Sequence, residues 1–469
     1  MKNTISVFYI ATLCLTSPFA SATQNTELPE SGENAFYRSV GKLSGNMTCT
    51  VSFVQFGDNL NAPATFLSNG HCSQNAFSSS SGNDITVEKS VNYTAKFNYF
   101  QDSIDAGETI SVGINKVLYS TMKGLDISVL SSDQTVAQLI AQGLTPYRIS
   151  QESLPPEAEI TIAGVPMDVN ALQLSYCESG NTFDVVEGYW HWYDFNENNC
   201  QGISPGSSGS PVFDNTKTIV GLINTTTNTA VGKTCYSGNP CAIDDEGAHV
   251  KKNKNYVVPI KDLNQCFNSN GTFSLDNSAC PLPKPSDVSI ANYPYIFSGE
   301  NSRYQDWKFT VNSDSKIRYK NILLSDNNQT CQDLSGYSAP IEVSQVNFSE
   351  TKIDVSKEGV HQYCIIGEND DASAPSVVQV QVDNTPPSTK PVLNVTPIGF
   401  EPIFMVPEYS DFWLAWGKPD EIDCDDVRYI QYRRNPIRIQ SVPLKVCVYG
   451  FDAAGNQSPN FDYLIESPF

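Results

Sequence analysis

Gly206-Ser207-Ser208-Gly209-Ser210-Pro211 is the stretch of this 469-residue chain whose residue types most directly suggest chemistry. A serine between small residues, with a glycine two before it and the apolar Val212-Phe213 after it, fits a tight turn that exposes its hydroxyl as a nucleophile. The same turn would aim the backbone N–H groups of Gly206 and Ser208 at one point, where they could hold the oxyanion of a tetrahedral intermediate. Alone, the hexamer is equally compatible with an ordinary Ser/Gly loop. Two upstream stretches alter that balance. Leu67-Ser68-Asn69-Gly70-His71-Cys72 sets a histidine after small residues and before a cysteine, and Leu125-Asp126-Ile127-Ser128-Val129-Leu130 opens an apolar strand with an aspartate. A serine hydroxyl is a poor nucleophile at neutral pH, so acyl transfer needs a base within hydrogen-bond reach and a group that fixes that base's tautomer.

Taken together, in the order His, Asp, Ser and with Cys49 available to pair with Cys72, these stretches resemble the chymotrypsin/trypsin superfamily of serine peptidases. The corresponding family motifs read T-A-A-H-C, D-I-A-L-L and G-D-S-G-G-P. The resemblance covers residues 36 to about 266. It implies that His71 is the general base, that Asp126 orients its ring and stabilises the imidazolium, and that Ser208 attacks the peptide carbonyl, with the Gly206 and Ser208 N–H groups as oxyanion hole. It calls for no cofactor and no metal. Gly-Ser-Ser-Gly-Ser-Pro-Val-Phe is closer to bacterial relatives such as the glutamyl endopeptidases than to animal digestive enzymes. Trypsin-like zymogens switch on when a new amino terminus pairs with an aspartate just before the nucleophile. Here that position is the uncharged Ser207, so activity is not expected to depend on a freshly cut terminus.

Counting from Ser208, the pocket aspartate of trypsin-like enzymes is replaced by Gly202, and the pocket histidine of glutamyl endopeptidases aligns with Ile223. A pocket formed by Gly202, Ile203, Ile223, Asn224 and Thr226 is expected to take small or medium apolar side chains rather than Arg, Lys or Glu. His191, His249 and His361 lack the His-Cys context and read as structural.

The elements that must position these residues are all β in pattern. Short strands read from Tyr37 to Leu43, Cys49 to Val54, Thr65 to Leu67, Tyr93 to Phe97 and Asp126 to Leu130. A second set runs from Glu159 to Ala163, Gln173 to Tyr176, Tyr189 to Trp192, Pro211 to Phe213, Ile219 to Ile223 and Tyr256 to Pro259. The expected fold is a double six-stranded β-barrel with the site in the cleft between barrels, and helical periodicity is confined to Thr135–Gln142 and Pro259–Phe267.

Met1 to Ala22, with Lys2, an apolar run and Ala20-Ser21-Ala22, reads as a cleaved secretory signal that takes Cys14 with it. No later stretch is long and apolar enough to span a bilayer. Export to the periplasm or the medium follows, and an oxidising compartment suits the remaining twelve of 13 cysteines. Their spacing suggests that neighbours pair: Cys49–Cys72, Cys177–Cys200, Cys235–Cys241, Cys266–Cys280, Cys331–Cys364 and Cys424–Cys447. A net charge of −22 disfavours nucleic acid as a partner; proteins or peptides are the expected substrates.

Length predicts about three domains: a peptidase domain over 23–280 and two immunoglobulin-like β-sandwiches over 286–384 and 389–469, separated by Asn384-Thr385-Pro386-Pro387-Ser388. Tyr449-Gly450-Phe451-Asp452-Ala453-Ala454-Gly455-Asn456 looks like the penultimate strand and turn of bacterial immunoglobulin-like or fibronectin-like modules. Pro281-Leu282-Pro283-Lys284-Pro285 reads as a stiff linker that holds the first module off the barrels. The modules are therefore expected to be dispensable for bond cleavage and to attach the enzyme to a cell surface or matrix. The acidic clusters Glu368–Asp371 and Asp420–Asp426 could bind calcium, but neither has a spaced loop motif and solvated loops are the preferred reading. The rival to a working peptidase is the same fold without catalysis, acting as a binding or adhesive protein.

Overall fold

The computed structural model describes residues 22–25, 28–74, 78–227, 233–324, 329–370, 373–403 and 408–467, so all of the expected signal segment except Ala22 lies outside the described residues. The chain is all-β. It opens on an edge strand, β1 (Thr23–Asn25), followed by a 3-10 turn over Gly32–Ser39 where a strand was expected from Tyr37. The reason is aromatic packing. Phe36 and Tyr37 lie edge-on against Phe213 at centroid distances of 5.4 and 5.6 Å, which draws this segment across to the second barrel instead of into a sheet.

Six strands close the first barrel: β2 (Val40–Ser44), β3 (Thr48–Val54), β4 (Pro63–Ser68), β5 (Ile85–Phe97), β6 (Ile110–Thr121) and β7 (Ile127–Thr135), in the order β2-β3-β4-β7-β6-β5. Helix α1 (Gln101–Ala106) lies between β5 and β6, and α2 (Val136–Ala141) follows β7 with a capping box between Thr135 and Gln138. The period-2 alternation of strands serves two cores at once. Val51, Phe53, Phe66 and Leu130 fill the barrel, whereas Val54, Leu67, Ile127 and Val129 point the other way into a core shared with the second barrel.

The second ring is β8 (Glu159–Gly164), β9 (Gln173–Glu187), β10 (Trp190–Asn198), β11 (Pro211–Phe213), β12 (Ile219–Thr226) and β15 (Asn255–Pro259), closed by the pairings β8–β9–β10–β15–β12–β11–β8. The hairpin of β13 (Cys241–Asp244) and β14 (Gly247–His249) extends this sheet from β9, and β1 pairs along β9 through Thr23↔Tyr176. Of the helix expected over Pro259–Phe267, only a 3-10 turn at Leu263–Cys266 forms. All six expected disulfides are present.

Two β-sandwich modules follow. In the first, β16 (Ser289–Ala291) and β18 (Thr310–Asn312) face a sheet of β17 (Phe297–Ser298), β21 (Ser376–Val382), β20 (Gly359–Gly367) and β19 (Ile317–Leu323), around Trp307, Phe309, Ile365 and Val380. In the second, β22 (Leu393–Thr396) and β23 (Gly399–Pro402) face β25 (Ile430–Gln431), β24 (Asp411–Gly417), β26 (Leu444–Phe451) and β27 (Phe461–Ile465), around Phe400, Phe412, Leu414 and Val446.

The first module does not stand off from the barrels as the proline-rich linker suggested. Leu282 is buried in the inter-barrel core, and the Tyr119 hydroxyl donates to Pro283 O at 2.8 Å, so the linker begins as part of the barrel surface. An apolar cluster then joins Val186 and the Cys235–Cys241 bridge to Ile322, Leu324, Val360 and Val377 of the module. Around it, three buried glutamines reach across. Gln379 Nε2 donates to Gly188 O and Trp190 O, Gln362 Nε2 to His191 Nδ1, and Gln381 Nε2 to Cys235 O. Asn83 closes the seam in the other direction, donating to Val377 O and accepting from Val377 N, both at 2.7 Å. No helix among the described residues is long and apolar enough to cross a membrane.

Candidate active site

Each candidate residue sits at the end of a barrel element facing the cleft. His71 lies in the 3-10 turn Gly70–Cys72 that ends β4, and the Cys49–Cys72 bridge ties that turn to β3. Gly70 is the only residue type the turn accepts: a Cβ there would come 2.0 Å from Thr121 O and 2.9 Å from Asp126 Oδ1. Asp126 immediately precedes β7 and is fully buried. Ser208 occupies the loop before β11, where Gly206 and Gly209 have φ of +99° and +84°, conformations that favour glycine.

The structure brings these residues together. His71 Nδ1 lies 2.6 Å from Asp126 Oδ2, and His71 N donates to Asp126 Oδ1 at 2.9 Å. Asn69 Nδ2 donates to Asp126 O, fixing the backbone of the acid. Asn224, expected only as a pocket wall, also links acid and serine: its Nδ2 donates to Asp126 Oδ2 at 3.1 Å, while its carbonyl accepts from Ser208 Oγ at 3.3 Å. Ser208 and His71 line one cavity but share no hydrogen bond; the serine hydroxyl is turned to Asn224.

The loop of the serine is braced by the first barrel. Thr50 N donates to Ser208 O at 2.8 Å, and Thr50 Oγ1 donates to Gly206 O at 2.9 Å. Ser207, which stands where the zymogen switch would need an aspartate, is buried; its N–H donates to Ser204 O, and its carbonyl accepts from Ser210 Oγ at 2.6 Å. Its neighbours Gly206 and Ser208 make no backbone N–H hydrogen bond among the described residues. Two donors on either side of a spent one are thus left for a ligand.

Burial pulls the His71 imidazole down, but the Asp126 charge, its hydrogen bond and the Glu187 charge together outweigh that and hold it above its ordinary value. Glu187, at the end of β9, was not singled out from the sequence. Burial pushes its carboxyl up, partly offset by the Gly238 N–H, the Thr225 hydroxyl and the His71 charge. It belongs to a cavity of about 150 Å³ shared with His71, Ser208, Met122, Trp190 and Trp192.

A second cavity of about 170 Å³ adjoins the first, sharing Ser208, Asn224 and Thr225 with it. Ile203, Ile223, Asn224 and Thr226 line it as expected, joined by Ser204, Pro205, Ser207, Thr225 and Gly238. Gly202 is not part of that wall. Its carbonyl accepts from Gln173 Nε2, and a Cβ on it would meet the Gln24 side chain 2.4 Å away, so it faces the amino-terminal strand instead. The walls hold no charged side chain, in keeping with a neutral pocket.

The other histidines are accounted for by structure. His191 is buried at the module seam, His361 Nε2 lies 2.7 Å from Lys357 O, and His249 lies 3.4 Å from Asp244. Among the described residues the only close group of potential metal ligands is Cys49, His71 and Cys72, and two of these are consumed by their disulfide. Asp371 of the first acidic cluster lies outside the described residues.

Neither a protein-family model nor a curated protein matches this chain. Solved structures similar to it include the Rv3671c protease from M. tuberculosis in its active form, with 13% identity over 52% of this chain and 87% of that chain and a TM-score of 0.33. The MamO protease domain from Magnetospirillum magneticum shows 12% identity over 48% of this chain and 94% of that one, with a TM-score of 0.32. The thermostable serine protease AL20 from an extremophilic microorganism shows 14% identity over 48% and 92%, also with a TM-score of 0.32. Likeness at such TM-scores carries no weight for function, which is argued from the geometry of the site.

Proposed function

We propose that this protein is an exported serine endopeptidase that hydrolyses peptide bonds through an acyl-enzyme intermediate. What supports this most is the short, doubly hydrogen-bonded contact between His71 and the fully buried Asp126, in a cleft that also holds Ser208. Asp126 on Nδ1 leaves Nε2 as the basic nitrogen of the neutral ring. When a peptide enters, the Ser208 hydroxyl exchanges the Asn224 carbonyl for His71 Nε2, which takes its proton as Oγ bonds to the carbonyl carbon. The unengaged Gly206 and Ser208 N–H groups receive the oxyanion. The imidazolium, stabilised by Asp126, then protonates the leaving amine as the C–N bond breaks, and water, deprotonated by His71, hydrolyses the ester.

The finer reading assigns residues 23–280 to the peptidase and 286–384 and 389–469 to immunoglobulin-like modules, which together would attach the enzyme to a cell surface or matrix. The motif around Ser208 is closer to bacterial relatives such as the glutamyl endopeptidases than to animal digestive enzymes, but Ile223 in the pocket supports neutral side chains instead of Glu. The same fold used only for binding draws on one contact, the Ser208 hydroxyl turned to Asn224. A fluorophosphonate probe decides between them. The peptidase reading expects labelling of Ser208, lost in Ser208→Ala, with Asp126→Asn reducing turnover by about 10⁴-fold; an intact protein that resists the probe is not a peptidase.

A further inference from the structure

Glu187 is an anomaly for a buried acid. It is only 5% exposed, and among the described residues no lysine or arginine pairs with it. The His71 imidazole, when protonated, is the one cation among the described residues that offsets its burial; a carboxylate held in low dielectric without a permanent countercharge is costly, and folded proteins normally pair it. Its known partners are the Gly238 N–H at 2.6 Å and the Thr225 hydroxyl, which occupy about two of the roughly four acceptor positions a carboxylate offers. The remaining capacity belongs to a cavity that reaches Ser208.

The walls of that cavity describe the missing partner. Met47, Met122, Trp190 and Trp192 give it apolar sides, and Glu187 supplies its one carboxylate beside the His71 imidazole. A side chain with a methylene stem and a cationic tip matches both: the stem covers apolar surface, and the tip meets the carboxylate and the indole faces. The neutral cavity that shares Ser208, Asn224 and Thr225 with it cannot supply this match. Successive side chains of an extended peptide point different ways, so two cavities that meet at Ser208, Asn224 and Thr225 take adjacent residues of one substrate.

We propose that Glu187 forms the floor of a cation-accepting subsite, so that this peptidase selects Lys or Arg next to, and not at, the residue whose carbonyl is attacked. The inference rests on the peptidase reading for the location of the scissile bond. The acidic surface of the chain, at a net −22, favours the approach of such basic peptides.

The test uses the full-length Ser208→Ala protein and two peptides that span the cleft, identical except for lysine or norleucine at the adjacent position, with affinities read by calorimetry. The lysine peptide is expected to bind at least about tenfold more tightly, and Glu187→Gln in the same background should bring the two within about twofold. Equal affinities for the two peptides, no binding of either, or a lysine preference that survives Glu187→Gln would overturn the proposal. Failure of the intact protein to react with the fluorophosphonate would overturn the peptidase reading instead, because binding to the Ser208→Ala protein does not require an activated hydroxyl.

Discussion

Replacing Gln379 by leucine tests whether the first sandwich module is built onto the barrels. The two side chains have similar volume, so the change opens little space and removes only polar contacts. Three hydrogen bonds are lost in a seam closed to water: those from Gln379 Nε2 to Gly188 O and Trp190 O, and the one that its Oε1 accepts from Gln362 Nε2 at 2.8 Å. A hydrogen bond contributes about 1 kcal/mol net, and a buried carbonyl left without a donor costs more. The sum is about 3 kcal/mol, which for units of this size lowers the melting temperature by about 6–12 °C. Gln431→Leu, on an exposed strand of the last module, serves as control and should stay within about 2 °C. The assay is thermal unfolding of full-length protein, followed in parallel by the KM for a peptide substrate. Because Gly188 lies in the turn between Glu187 and Trp190, loosening it should raise KM as well. A Gln379→Leu protein as stable as the control would refute the buried seam.

The structure also sets two pH effects. Glu187 helps to hold His71 above its ordinary value, so Glu187→Gln should lower the His71 pKa and move the acid limb of kcat/KM to lower pH; a limb that stays or moves upward contradicts their coupling. Lys123, buried against Ser376 at the seam and facing Asp370, is pulled by burial from 10.5 to about 8. The unfolded chain therefore holds the extra proton between those values, and the lysine makes stability climb as pH rises from about 8 to 10.5. Lys123→Met should remove that climb, measured as the difference in melting temperature between parent and variant at pH 7 and pH 9.5; a difference that does not change with pH would refute the burial of the charge.

Much of this was legible in the sequence, for physical reasons. Strands of the barrels announce themselves because Val51, Phe53 and Phe66 must alternate inward, and the disulfides join cysteines that are neighbours in sequence. His71, Asp126 and Ser208 were readable because each sits beside residues the turn itself requires, Gly70 and Gly209 among them. The docked module was missed because its contacts are made by Gln362, Gln379 and Gln381, which in an alternating strand read as solvent-facing. A signal was present. Ser376–Val382 is buried along its whole length, and Val377-Val378 breaks the alternation expected of a strand with one wet face. Glu187 carried no comparable mark: it is one of 51 acidic residues, and only folding shows that no lysine or arginine among the described residues pairs with it.

The Asn83–Val377 contact joins residues 294 positions apart, which has a consequence for the life of the nascent chain. When residue 283 leaves the ribosome, both barrels have all their strands, yet Gly188, His191 and Cys235 still lack the side chains that hold them. Residues 359–382 supply these, and at ordinary rates of synthesis they follow about 5–20 s later. Wherever the chain folds, the barrels therefore gain the contacts that hold Gly188, His191 and Cys235 only once the sandwich has been made and has closed onto them, so the seam is the last part of this surface that the order of synthesis can complete.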